Sequence, residues 1–140
     1  MAAKALVLDA NILLRAVLGR RVREIIEAHA GTVSFLVPEA AFAEAEEHLQ
    51  TLVVRRGGNP ERARAAFVRL SALLELVVCE ACAEFEADAR ERLGSRDPDD
   101  CPVLALALAL ACPIWTEDPD FFGCGVATWT SNRVLMFLRD

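Results

Sequence analysis

Short apolar runs alternate with segments of helical periodicity from one end of the chain to the other. The runs are Ala5 to Leu8, Val33 to Val37, Leu76 to Val78, Ile114 to Thr116 and Val126 to Trp129. Runs this short, apolar throughout instead of alternating, suit strands covered on both faces, the situation of a parallel sheet. Between the first two, Ile12, Leu13, Ala16, Val17, Val22, Ile25 and Ile26 recur at helical spacing, with Gly19 marking a break and Gly31 a stop. Pro38 opens the next helix, where its missing N–H costs nothing. After the Gly57-Gly58 turn, Asn59-Pro60-Glu61 reads as an N-cap, an N1 proline and an acidic first turn. That helix carries Ala63, Ala66, Phe67, Leu70 and Leu73-Leu74 on one face. Ala83 to Leu93 is amphipathic and ends at Gly94, Val103 to Ala111 is apolar, and a last helix starts near Thr130 or Ser131. With no linker and no internal repeat, residues 1–140 are expected to form one α/β domain around a mostly parallel sheet.

Composition narrows the setting. At 54% hydrophobic residues and a mean hydropathy of +0.30 the chain is too apolar to stay disordered. The longest apolar stretch, Val103 to Trp115, is broken by Pro113 and falls well short of the roughly 20 residues of a membrane span. Asp9 interrupts the start before a signal-peptide apolar region can form. A soluble, cytoplasmic protein with no membrane partner is expected. Its five cysteines, odd in number and without a second C-x-x-C or a nearby histidine pair, read as buried reduced thiols.

Ligands of open parallel sheets collect beyond the carboxyl ends of the strands, and acids stand at those ends. Asp9 follows the first strand, with Asn11 two residues on, and Glu117-Asp118-Pro119-Asp120 follows the fourth. Asp97, Asp99 and Asp100 precede the Val103 helix, and Glu44 lies in the helix after the second strand. Each acid alone has an ordinary use as a cap, a turn residue or dipole complement. Together they would repel unless neutralised. A hard divalent cation, Mg²⁺ or Mn²⁺, is the natural remedy, and it suits hydrolysis of phosphate esters by water. The chain offers no competing nucleophile: it has no G-x-S-x-G elbow, no glycine-rich phosphate loop and no histidine near the acids.

Leu8-Asp9-Ala10-Asn11-Ile12-Leu13 resembles the opening motif of PIN domains. Arg96-Asp97-Pro98-Asp99-Asp100-Cys101-Pro102 with Val103-Leu104-Ala105-Leu106-Ala107 is similar to the family's R-D-P-K-D-D-P-F-L-A-L-A stretch. Thr116-Glu117-Asp118-Pro119-Asp120-Phe121 looks like its T-x-D-x-D-[FL] motif, and Glu44 stands where the family places a Glu. The resemblance runs along almost the whole chain. It implies a three-layer α/β/α sandwich and a metal-binding, catalytic quartet of Asp9, Glu44, Asp100 and Asp118, supported by Asn11, Asp97, Thr116 and Asp120. It further implies Mg²⁺- or Mn²⁺-dependent cleavage of RNA, often as the toxin of a VapC-type toxin–antitoxin pair with an antitoxin partner, and often as a homodimer. A non-catalytic partner-binding domain and a small-molecule phosphohydrolase are the alternatives. The chain departs from the pattern at Glu117, where a small residue is usual, at Asp99, where Lys is common, and at Cys101, where Asp is common. Glu47, one helical turn from Glu44, shares its face, whereas Glu46 points away.

A net charge of −6 gives no global attraction to nucleic acid. Arginine is nevertheless grouped, at Arg15, Arg20, Arg21 and Arg23, and at Arg55, Arg56, Arg62, Arg64 and Arg69. A group bordering the acids could hold a phosphate backbone; otherwise both are solvated helix faces. With no tyrosine and its phenylalanines reading as core, the chain shows no aromatic platform for stacked bases.

Overall fold

In the computed structural model, which describes residues 4–78, 80, 82–94 and 100–139, β1 (Lys4–Leu8) is the central strand of the sheet. The other strands are β2 (Val33–Pro38), β3 (Glu75–Val77), β4 (Ile114–Trp115) and β5 (Thr128–Trp129). The order is β3-β2-β1-β4-β5, and every neighbouring pair is parallel. Val7 is matched with Leu36 on one side and Ile114 on the other, so β1 and β4 reach their carboxyl ends side by side. Among the described residues seven α-helices connect and cover the strands: α1 (Ala10–Leu18), α2 (Arg21–His29), α3 (Glu39–Arg55), α4 (Pro60–Ser71), α5 (Ala83–Leu93), α6 (Cys101–Leu110) and α7 (Val134–Leu138). The first four pack on one another, α5 packs with α6, and the whole is a three-layer α/β/α sandwich. Leu6, Val7 and Leu8 are completely buried, as the unbroken apolar pattern of β1 requires.

Local chemistry accounts for the boundaries. Gly19 stands between α1 and α2 in extended backbone, at a position where a Cβ would lie 2.9 Å from the Arg15 carbonyl oxygen. Asn59 caps α4, its Oδ1 accepting the N–H groups of Glu61 at 2.9 Å and Arg62 at 3.3 Å. α6 is buried over Val103 to Ala107 and ends at Ala111 in the left-handed region, φ 52°.

Several ends differ from the sequence reading. Pro38 is the last residue of β2 and stands just outside α3, because its ψ of 141° is extended. β3 covers Glu75–Val77, one residue earlier than the apolar run, and its place at the sheet edge leaves Leu76 exposed. β5 loses Val126 and Ala127 because the preceding loop turns through Gly123 and Gly125, both at positive φ. α7 starts only at Val134, after a turn in which Arg133 and Val134 donate to the Thr130 carbonyl. Cys101, Cys112 and Cys124 are free and buried, and burial pushes the thiols of Cys101 and Cys112 up. Cys82 is disulfide-bonded, which corrects the free-thiol expectation at that position.

The loop after the Pro119–Phe121 turn is tied to α5. Arg92 donates to the Cys124 carbonyl at 2.9 Å and to Asp88 at 2.9 Å. Gly125 makes this approach possible, since a Cβ on it would sit 2.3 Å from Arg92 Nη1, and its φ of +90° disfavours any side chain. Gly125→Ala is therefore expected to lose more than about 1 kcal/mol in urea unfolding. Part of that loss should vanish in an Arg92→Ala background; equal losses in both backgrounds would assign the whole cost to φ.

Candidate functional site

The site begins where β1 stops. Asp9 is buried, and its two oxygens do different work. Oδ1 accepts the Ile12 N–H at 3.0 Å, capping α1, while Oδ2 accepts the hydroxyl of Thr116 at the end of β4. Thr116, fully buried, also accepts the Asp118 N–H on Oγ1 at 2.9 Å, and Asp118 Oδ1 in turn accepts the Asp120 N–H at 2.9 Å. One run of hydrogen bonds thus joins two neighbouring strand ends and folds Pro119–Phe121 into a tight 3₁₀ turn.

Burial raises the Asp9 carboxyl to about 6, helped by the negative charges of Asp118 and Glu117. The hydrogen bonds from Thr116 and from the Ile12 N–H oppose the rise without cancelling it.

A second cluster adjoins this one. Asp100, Asp118 and Asp120 each offer a carboxylate oxygen, and the three atoms lie within 4.8 Å of one another. Ligands on opposite sides of Mg²⁺ are about 4.2 Å apart, twice the usual Mg–O distance, so this spacing suits a single hard cation with little adjustment. Asp100 sits at the N-terminus of α6, and its Oδ2 is fully buried. A buried carboxylate oxygen among two other acids is the kind of donor that a cation would satisfy.

The structure therefore brings Asp100 and Asp118 together and adds Asp120, which the sequence placed in support. Asp9 stands beside the trio, linked through Thr116. Glu44 is half-buried on α3 and is not one of the three, while Glu47 is exposed. Asn11 is exposed, and Asp97 lies outside the described residues. Glu117, the acid that departs from the usual pattern, accepts the Ser131 N–H at 2.6 Å, and Ser131 Oγ accepts from Trp115 Nε1 at 3.1 Å. Its carboxylate thus fixes the segment entering α7, a role whose partner stands fourteen residues away and which no local pattern signals.

Over residues 7–139 the sequence matches the PIN domain family. The chain belongs to it. Solved structures agree on the fold of this PIN domain. VapBC2 from Rickettsia felis, solved with a DNA fragment from its promoter, superposes with a TM-score of 0.72 at 15% identity, covering 90% of this chain and 98% of that one. PAE2754 from Pyrobaculum aerophilum gives 0.70 at 17% identity over 99% and 98% of the two chains. A toxin–antitoxin complex from Klebsiella pneumoniae gives 0.58 at 17% identity over 90% and 97%. No curated protein matches the chain. Among the described residues, no helix of this PIN domain is long and apolar enough to cross a membrane.

Beside the acids runs an open groove of about 820 Å³ between α1, α2 and the end of α3. Asp118 and Glu117 are among the residues that line it, as are Arg15, Arg20, Arg21 and Arg56.

Proposed function

We propose that this PIN domain is a metal-dependent endoribonuclease of the VapC toxin kind. The observation that carries the reading is the approach of the Asp100, Asp118 and Asp120 carboxylates to within 4.8 Å at the carboxyl end of a parallel sheet, beside buried Asp9. PIN domains are generally nucleases, and the likeness to a toxin–antitoxin complex supports the toxin assignment. Asp9, Asp100 and Asp118, with Asp120 beside them and Glu44 on α3, would hold Mg²⁺ or Mn²⁺. Bound there, such an ion supplies activation of water and stabilisation of charge on the scissile phosphate. Thr116 fixes the Asp9 carboxylate and the Asp118 backbone relative to each other, so the acids meet a ligand already aligned. Asn11 and the groove arginines face the approaching substrate. A protein antitoxin covering this acidic cluster with a basic side chain, and a second copy of the chain, are the partners this reading implies.

Titration with Mn²⁺ by calorimetry, run beside cleavage of single-stranded RNA, tests it. Uptake of Mn²⁺ and cleavage that stops in chelator and returns with Mn²⁺ are expected. Absence of Mn²⁺ uptake overturns the reading, and uptake without cleavage of any RNA replaces it with a partner-binding domain.

A further inference from the structure

In a chain with 21 acidic and 15 basic residues, arginines are expected to find carboxylate partners. Three outside the groove do: Arg23 pairs with Glu27 at 3.4 Å, and Arg90 with Glu86 and Arg92 with Asp88 at 2.9 Å, all i,i+4 on their own helices, whereas among the described residues Arg55, Arg62, Arg64 and Arg69 make no ion pair. What sets the groove apart is that arginines from separate helices, Arg15, Arg20, Arg21 and Arg56, line one open space. Arg20 makes a long, exposed pair with Glu24 at 3.7 Å, and Arg21 reaches the Asn132 side chain at 3.4 Å. Among the described residues Arg15 and Arg56 make no ion pair and no side-chain hydrogen bond, although Asp118 and Glu117 line the same groove. Two guanidiniums from different helices, α1 and the end of α3, are thus left facing open space beside an acid cluster. Guanidinium groups match phosphate oxygens in planar, two-pronged fashion.

The floor between them is apolar. Leu14 and Val22 are buried with their edges in the groove, and Leu18 is partly exposed there. An arginine rim over an apolar floor suits a chain that presents phosphates on one side and sugar and base faces on the other. That is a single strand rather than a duplex, whose bases are stacked away inside.

The geometry points to Arg15 and Arg56 as the pair that holds the phosphodiester backbone of a single-stranded nucleic acid, leading it along the α1–α2 groove to the carboxylates. This rests on the nuclease reading above and adds which side of the acid cluster the strand lies on. Arg20 and Arg21 extend the same track outward.

Binding of labelled oligo-U and oligo-dT, measured in Ca²⁺ to suppress cleavage, between about 50 and 200 mM salt, tests the assignment. Each phosphate neutralised contributes about 0.7 to the log–log salt slope for single strands. Arg15→Gln with Arg56→Gln should therefore flatten the slope by about 1.4 and weaken binding at least roughly tenfold. The charge-matched control, Arg62→Gln with Arg64→Gln on the exposed side of α4, should leave the slope in place. Melting temperature and Mn²⁺ uptake should stay at wild-type values in both variants.

An equal effect from both pairs, or none from either, overturns the assignment; if the wild type still cleaves RNA, the nuclease reading survives it. Oligo-dT bound with oligo-U ignored keeps the groove assignment and overturns the ribonuclease reading. Neither strand bound and no RNA cleaved overturns both. Groove-dependent binding of poly-glutamate, with both oligonucleotides ignored, overturns the assignment in favour of an acidic protein segment.

Discussion

Exchanging Asp100 and Asp118 together for asparagine should remove Mn²⁺ uptake from the calorimetric trace and lower RNA cleavage at least about 100-fold. The fold should survive. Both residues sit at element ends, half-buried, and Asp118's cap on the Asp120 N–H can be made equally by an asparagine oxygen. Removing the Asp118 charge also relieves repulsion that the Asp9 carboxyl feels in the metal-free chain. The melting temperature without metal is therefore expected to hold or rise while metal-induced stabilisation disappears, since a ligand that binds only the folded state stabilises in proportion to its occupancy. A variant that keeps Mn²⁺ uptake would move the cation site away from this trio.

Asp9→Asn should make the metal-free protein more stable at neutral pH. The Asp9 carboxyl is lifted from 3.8 to about 6 in the folded state, with burial the main cause. Its folded-state value therefore lies above its unfolded one, and between the two the folded chain binds more protons. Stability from this group is present below pH 4 and is lost as pH rises towards 6, leaving a cost of about 3 kcal/mol at neutral pH. Asparagine has no charge to desolvate and still accepts the Ile12 N–H, so the cap on α1 remains. Thr116 loses the carboxylate that accepts its hydroxyl, about 1 kcal/mol in the other direction. A net gain of about 2 kcal/mol at pH 7.5 is expected, shrinking to nothing or reversing below pH 4, as read from urea midpoints in chelator. With saturating Mn²⁺ the ranking should invert, because only the wild type gains from the ion. Equal stabilities at both pH values would mean that Asp9 is already neutralised by another group.

Much of the architecture could be read from the residues themselves because each element carries its own punctuation. Gly19 sits where a side chain would strike the Arg15 carbonyl, and Asn59-Pro60 caps α4 as its composition announces. The acid-terminated run at Leu8 marked the strand end that carries the site. Strand ends set by distant partners were not legible. β3 is shifted by its register against β2, with Glu75 opposite Leu36, and β5 is shortened by a loop clamped to Arg92. The site divides the same way. Asp9 and Thr116 are 107 residues apart in sequence, yet each belongs to a motif that names it. Asp120 reads as a supporting group because nothing in Asp118-Pro119-Asp120 alone says that the 3₁₀ turn swings its carboxylate towards Asp100. Glu117 looks like surplus charge until Ser131 is found beside it.

The position of β1 between β2 and β4 has a consequence for the life of the chain on the ribosome. Asp9 is synthesised before its partner Thr116, 107 residues further on, and before the Asp100–Asp118–Asp120 cluster. Parallel pairing of β1 with β4 cannot form until β4 has emerged, however early β1 and β2 have docked. A chain not yet extended past β4 therefore holds Arg15 and Arg56 but not the Asp118 and Asp120 carboxylates. The carboxylate cluster is therefore completed only after β4 has joined the sheet.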